Sequence, residues 1–176
     1  MHNRGLRMRY GDNDMNLKPA GVLLMSLFTA SYAAAESGGL PQEVGQLQQQ
    51  AQRGEAQAQY QLAVRYLRGD GVEKNEAQAV TLLEKSAAQH NADAQYVLGS
   101  LYAHGNGVTE DKNKAIEFYD KAREQNHPEA QYMLGIMYLE GKYVAPNYKY
   151  ARYLIGEACK GGAGGACDAF SRLPSP

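Results

Sequence analysis

The chain has no surplus of positive charge: 18 Lys+Arg stand against 19 Asp+Glu in 176 residues. A protein that lives on nucleic acid needs a basic stripe to displace counterions, so nucleic acid is not an expected partner. Cysteine is scarce, 2 in all beside 4 His, and no H-E-x-x-H or close His/Cys grouping suggests a zinc site. The serines open no nucleophile motif. Ser37, Ser86, Ser100 and Ser171 are followed three residues later by Leu40, Gln89, Ala103 and Pro174, so neither S-x-x-K nor G-x-S-x-G occurs. The Gly69-Asp70-Gly71 turn lacks the preceding strand and the lysine of a phosphate loop. No metal, nucleotide or other cofactor is expected.

Long apolar runs are missing too. Val22 to Ala35, VLLMSLFTASYAAA, is interrupted by Thr29, Ser31 and Tyr32 and stopped by Glu36, short of the ~20 apolar residues that span a bilayer core. With Lys18 before it and Ala33-Ala34-Ala35 at its end, it has the three-part pattern of a secretory signal. Residues 1–35 are therefore read as a signal peptide whose start is possible at Met15, and residues 36–42 as a tail. No cysteine lies near the cut, so no stable membrane anchor is expected after cleavage. Removing residues 1–35 leaves 14 Lys+Arg and 17 Asp+Glu, a net charge of −3. The destination is the periplasm, with secretion as the alternative.

What the chain does have is a period. Ala58-Gln59-Tyr60, Ala94-Gln95-Tyr96 and Ala130-Gln131-Tyr132 recur every 36 residues, in step with Leu62, Leu98, Leu134; Tyr66, Tyr102, Tyr138; Gly69, Gly105, Gly141; and Ala79, Ala115, Ala151. Such a period signals a solenoid. Each unit reads as two helices. Helix A runs from about Gln57 to Arg68, packs through Ala58, Leu62, Arg65 and Tyr66, and ends at a glycine C-cap. Helix B starts at an N-cap, Asn75, Asp111 or Asn147. Glycines at 99 and 135 imply close helix crossings. The third unit has Tyr143 where the others have Gly71 and Gly107, so its turn must differ. His90 and His127 fall in the exit turns and are read as surface residues. Half units from Val44 to Gln52 and from Ala166 to Leu173 cap the array, and 174–176 is a tail.

Cys159 ends the third helix B and Cys167 lies in the next helix A, with KGGAGGA between them. That glycine-rich turn sets the two side by side, and export permits a disulfide. Two free thiols and a redox pair remain the alternatives.

The string A-x-x-x-L-G-x-x-Y-x-x-G-x-G-V, present as Ala94 to Val108, followed by D-x-x-K-A at Asp111 to Ala115, resembles the Sel-one-like repeat family, a relative of the tetratricopeptide repeat. The resemblance covers residues 43–173. It implies an all-α, right-handed α/α superhelical solenoid of about three repeats with half-repeat caps, and a concave groove used as an adaptor surface for protein or peptide. The C-x7-C placement is similar to that of the family's secreted cysteine-rich branch, where it bridges successive helices in every unit; here Ser86/Ala87 and Ala122/Arg123 carry no cysteine. That branch also implies, as an alternative, a weak β-lactam hydrolase; a secreted effector acting on a host protein is the other.

If the A helices line the groove, the positions opposite the packing stripe point into it. The partner-binding face is then expected at Gln61, Val64, Arg68, Val97, Ser100, His104, Met133, Ile136 and Glu140. Tyr60, Tyr96 and Tyr132 share that face but are assigned to packing between neighbouring helices.

Overall fold

The computed structural model describes residues 39–141 and 143–174, with side chains from residue 42. The expected leader, residues 1–35, lies outside them. Eight helices follow one another: α1 Gly39–Gln52, α2 Ala56–Arg68, α3 Glu76–Ala88, α4 Ala92–His104, α5 Lys112–Glu124, α6 Pro128–Glu140, α7 Tyr148–Lys160 and α8 Ala166–Arg172. No strand occurs among the described residues, and no helix there is long and apolar enough to cross a membrane. From α2 on, each helix packs on the next, and the pairs α2/α3, α4/α5 and α6/α7 pack more extensively than the contacts joining one pair to the following one. This is an all-α repeat solenoid. The A helices are α2, α4 and α6; the B helices are α3, α5 and α7. Helix α1 starts at Gly39, ahead of residue 43 where the repeat domain was expected to begin.

The local chemistry repeats with the sequence. Asn75, Asp111 and Asn147 each accept a backbone N–H two or three residues on, from Gln78, from both Asn113 and Lys114, and from Tyr150, which satisfies donors a helix start would otherwise leave free. Gly69, Gly105 and Gly141 close the A helices in the left-handed region, at φ 78°, 71° and 63°. A cross-brace then fixes each turn: the N–H groups of Asn75, Asp111 and Asn147 donate to the carbonyls of Tyr66, Tyr102 and Tyr138 at 2.9, 2.9 and 3.0 Å. The third turn keeps this brace with Tyr143 at the place of the left-handed Gly71 and Gly107. In the exit turns His90 and Asn126 take φ 62° and 61°, where Gly54 and Gly162 stand in the flanking units.

The core is built from small residues facing larger ones. Ala63 and Leu83 are both fully buried in the first unit. One repeat on, the pair is Gly99 and Tyr119, and a Cβ on Gly99 would lie 2.6 Å from the Tyr119 ring. In the third it is Gly135 and Ile155, with the corresponding distance again 2.6 Å. Where the B-helix side chain is Tyr119 or Ile155, the A-helix residue facing it is a glycine, because a Cβ there would overlap it.

The recurring glutamine is buried rather than exposed. Gln59, Gln95 and Gln131 are 4%, 3% and 8% exposed. Gln59 Nε2 donates to the Ala51 carbonyl and its Oε1 accepts from Gln89 Nε2; Gln95 donates to Ala87 and accepts from Gln125. Gln59 and Gln95 thus each tie their A helix to the elements before and after it. Buried, unpaired, either would destabilise the fold by about 1–3 kcal/mol.

Candidate functional site

Two adjoining cavities lie along the A helices. The larger, about 930 Å³, opens between α1 and α2 and is lined by Glu43, Gln46 and Gln50 on one side and Tyr60, Gln61, Val64 and Arg68 on the other. The smaller, about 400 Å³, is lined by Tyr60, Val64 and Arg68 of α2, Asp93, Tyr96 and Val97 of α4, and His127 and Glu129 at the start of α6. Tyr60, Val64 and Arg68 border both, so the two form one trough.

The structure brings four of the expected groove residues to this trough: Gln61, Val64, Arg68 and Val97. Ser100 is half-buried beside the Tyr119 phenol. His104 is exposed at the end of α4, its Nδ1 2.8 Å from the Ser100 carbonyl. Met133 packs against the buried cluster around Leu134, Ile136 is half-buried and Glu140 exposed; none of these three borders either cavity. The trough therefore belongs to the first two units and the entry to the third.

Two corrections follow. Tyr60 and Tyr96 pack on the core, as expected, and also line the trough. His127 is no surface turn residue. Its side chain is 10% exposed and its ring stacks on Tyr96 with centroids 4.8 Å apart. Nδ1 accepts from the Ala130 N–H, capping α6, at 3.3 Å. Nε2 therefore carries the proton and donates to Asp93 Oδ1 at 3.2 Å. Glu129 Oε2 lies 3.4 Å from Nδ1. The sequence held one signal for this grouping: Asp93 and Glu129 each lie 33 positions after a groove tyrosine, Tyr60 or Tyr96.

The trough is more acidic at its α4/α6 end than at its α1 end. Toward α1 the charges balance, Arg65, 3.8 Å from Glu43, and Arg68 standing with Glu43 and Asp70, while Asp93 and Glu129 add negative charge at the starts of α4 and α6. Burial raises the Tyr60 pKa, Asp93 raises it further and Arg68 opposes. Burial and then Glu129 raise that of Tyr96.

Tyr119 lies beneath this face, fully buried. Its pKa is pushed up to about 12, first by burial and then by the Tyr96 phenol, with Ser100 pulling the other way. Apart from the nearby Ser100 hydroxyl, which falls short of hydrogen-bond geometry, the buried phenol oxygen has no partner. Because an unfolded tyrosine titrates near 10, stability linked to Tyr119 is whole below pH ~10 and is lost as pH rises toward ~12. Tyr119→Phe is expected to flatten the alkaline fall in urea midpoint over that window, and to leave stability at pH 7 equal or up to ~1 kcal/mol higher. A wild-type alkaline slope in the variant would assign the fall to other groups.

Cys159 and Cys167 are paired as a disulfide, with Cα atoms 4.6 Å apart. Of the described serines, Ser86 Oγ donates to the Ala56 carbonyl and Ser171 Oγ to that of Asp168.

The helix pairs, the G-x-G turns and their 36-residue step can be compared with known proteins. The Sel1 repeat pattern matches three times, at residues 56–91, 92–127 and 128–162. The chain is similar to the crystal structure of a Sel1 repeat protein from Oxalobacter formigenes, at 34% identity and TM-score 0.67, over 73% of this chain and 97% of that one. It is also similar to c5321, a protective antigen of uropathogenic Escherichia coli with an SLR fold, at 34% identity and TM-score 0.70, over 74% of this chain and 28% of the other. Helicobacter pylori cysteine rich protein B, at 23% identity and TM-score 0.58, covering 74% of this chain and 93% of that one, shares the fold. No curated protein matches the chain. Sel1 repeats are generally protein-interaction scaffolds. With three consecutive matches over the described helix pairs, the chain belongs to the Sel1 repeat family.

Proposed function

We propose that this is an exported adaptor that holds a segment of a protein partner in the trough along its A helices. The observation that carries this reading is the trough itself. Its two cavities run together through Tyr60, Val64 and Arg68, and its walls mix aromatic, aliphatic and charged side chains as recognition surfaces do. Beneath it the positions that repeat are the packing ones; the trough residues Gln61, Val64 and Arg68 become Val97, Ser100 and His104 one unit later. The scaffold is constant and the surface is individual. Export is supported by the leader pattern ahead of Glu36 and by the disulfide, a bond that persists in oxidising compartments.

The test is capture of a partner from envelope extract on the immobilised chain, beside a variant carrying Val64→Glu and Val97→Glu. Both positions are half-buried at the rim, so the helical spectrum serves as the folding control. A partner retained by the first and lost by the second supports the reading. A partner retained equally by both places binding elsewhere on the repeats and overturns it.

A further inference from the structure

We infer that the smaller cavity is a socket for one basic side chain, arginine or lysine, presented by the protein partner; this rests on the reading that the trough binds such a partner. Three kinds of wall meet there. Tyr60, Tyr96 and His127 line it with aromatic rings, Tyr96 stacked on His127, and the negative quadrupole of such rings attracts a cation. Asp93 and Glu129 stand at the rim with side chains 50% and 48% exposed. A carboxylate has about four acceptor positions; Asp93 uses one on His127 Nε2, and His127 Nδ1, already accepting from Ala130, gives Glu129 no proton. Both keep acceptors for a guanidinium or an ammonium. Against them stands Arg68 on the α2 wall, so that with neutral His127 the lining carries two negative charges and one positive.

The scaffold does not need these acids: the matching position of the first repeat is Gln57, within α2. The position matching Asp93 and Glu129 beside the third groove tyrosine, Tyr132, is Gly165, whose Cβ would lie 3.9 Å from the Tyr132 hydroxyl. The third groove tyrosine thus has no acid beside it at that place. Carboxylate beside aromatic is therefore a feature of the first two steps of the trough, and it coincides with the cavity. At about 400 Å³ that cavity is within the range of sites that hold small ligands, roughly 300–1,000 Å³.

Capped fluorescent heptapeptides of alanine and serine, with a single central arginine, lysine, glutamine or glutamate, test this by anisotropy on the purified chain with its disulfide intact. The arginine peptide is expected to bind about fivefold more tightly than the glutamine peptide, or better, and the glutamate peptide more weakly than either. The preference should vanish in Asp93→Asn/Glu129→Gln, which keeps the shapes. It should increase in Arg68→Gln, which removes the competing cation and leaves both acids. Equal binding of the arginine and glutamine peptides, or a preference that survives Asp93→Asn/Glu129→Gln, overturns the socket while leaving the trough as a binding surface. Absence of binding by every peptide overturns it too, and capture of a partner through Val64 and Val97 then decides separately whether the trough binds at all.

Discussion

Gly99→Ala is expected to destabilise the protein by about 1–2 kcal/mol as it stands and to stabilise it in the Tyr119→Leu background. The new Cβ would meet Tyr119 Cδ1 and Cε1 at 2.6 and 2.7 Å, closer than carbon atoms approach, and the ring is fully buried with no room to retreat. Overpacking of this kind costs about 1–3 kcal/mol, only part of which is offset by the ~1 kcal/mol that alanine gains over glycine in a helix. Tyr119→Leu alone removes a buried ring and leaves a void, for a loss of about 2–4 kcal/mol, the range for large-to-small core changes. Together the two changes rebuild the Ala63/Leu83 pair of the first unit, both members of which are fully buried. Coupling of more than ~1 kcal/mol in the cycle is expected for residues in contact. Additive losses, measured by urea midpoint, would show that the helix pair adjusts its spacing and that the alternation of large and small residues does not set it.

Opening the disulfide is expected to free the end of the array and leave the three repeats folded. The bond closes a ring between residues eight apart, for which loop-closure entropy gives about 2.5 kcal/mol as an upper figure. Helix α8 has 7 residues, too few to hold as a helix alone. It is pinned at its start by the disulfide and at its end by Arg152, which lies over the Phe170 ring at 4.6 Å and donates to the Leu173 and Pro174 carbonyls at 3.2 and 2.9 Å. Tyr148 adds a hydrogen bond to Pro174 at 2.9 Å. Cys159→Ser/Cys167→Ser should therefore speed amide exchange at Ala166 and Ala169 and leave that of Leu98 and Leu134 unchanged. Adding Arg152→Ala should release the segment altogether. Loss of protection in α4 and α6 together with α8 would mean the end is part of one cooperative unit with the repeats.

The fold was legible because a period of 36 places the same few constraints in the same places. Asn75, Asp111 and Asn147 announce helix starts by their side-chain oxygens, and Gly69, Gly105 and Gly141 announce helix ends by their freedom at positive φ. The glutamines at 59, 95 and 131 were visible as a recurrence, but a wheel drawn from hydrophobicity cannot show that a polar side chain is buried and paired across units. The wheel placed Arg65 on the packing stripe; the structure sets it on the rim of the trough beside Glu43, while Gln59 and Ala63 take the buried positions.

The site was less legible because its parts come from different repeats. Gln61, Val64, Arg68 and Val97 follow from the wheel, since each lies on the trough side of its own helix. Met133, Ile136 and Glu140 were carried forward by periodicity to a unit that borders neither cavity. His127 was misread because its neighbours in the sequence are a turn, while its neighbours in space are Tyr96 and Asp93 from the repeat before. A one-repeat window does not contain that contact.

The central claim, that the trough is where this protein meets its partner, is tested most directly by photo-crosslinking in intact cells. A benzoylphenylalanine placed at Gln61 or Val97 on the trough, and at Lys85 or Glu117 on the exposed B-helix face, would capture whatever lies against each surface. The account expects one discrete adduct from the two trough positions and none from the other two. Adducts from Lys85 or Glu117 with none from Gln61 or Val97 would contradict it and move the binding surface to the opposite side of the solenoid.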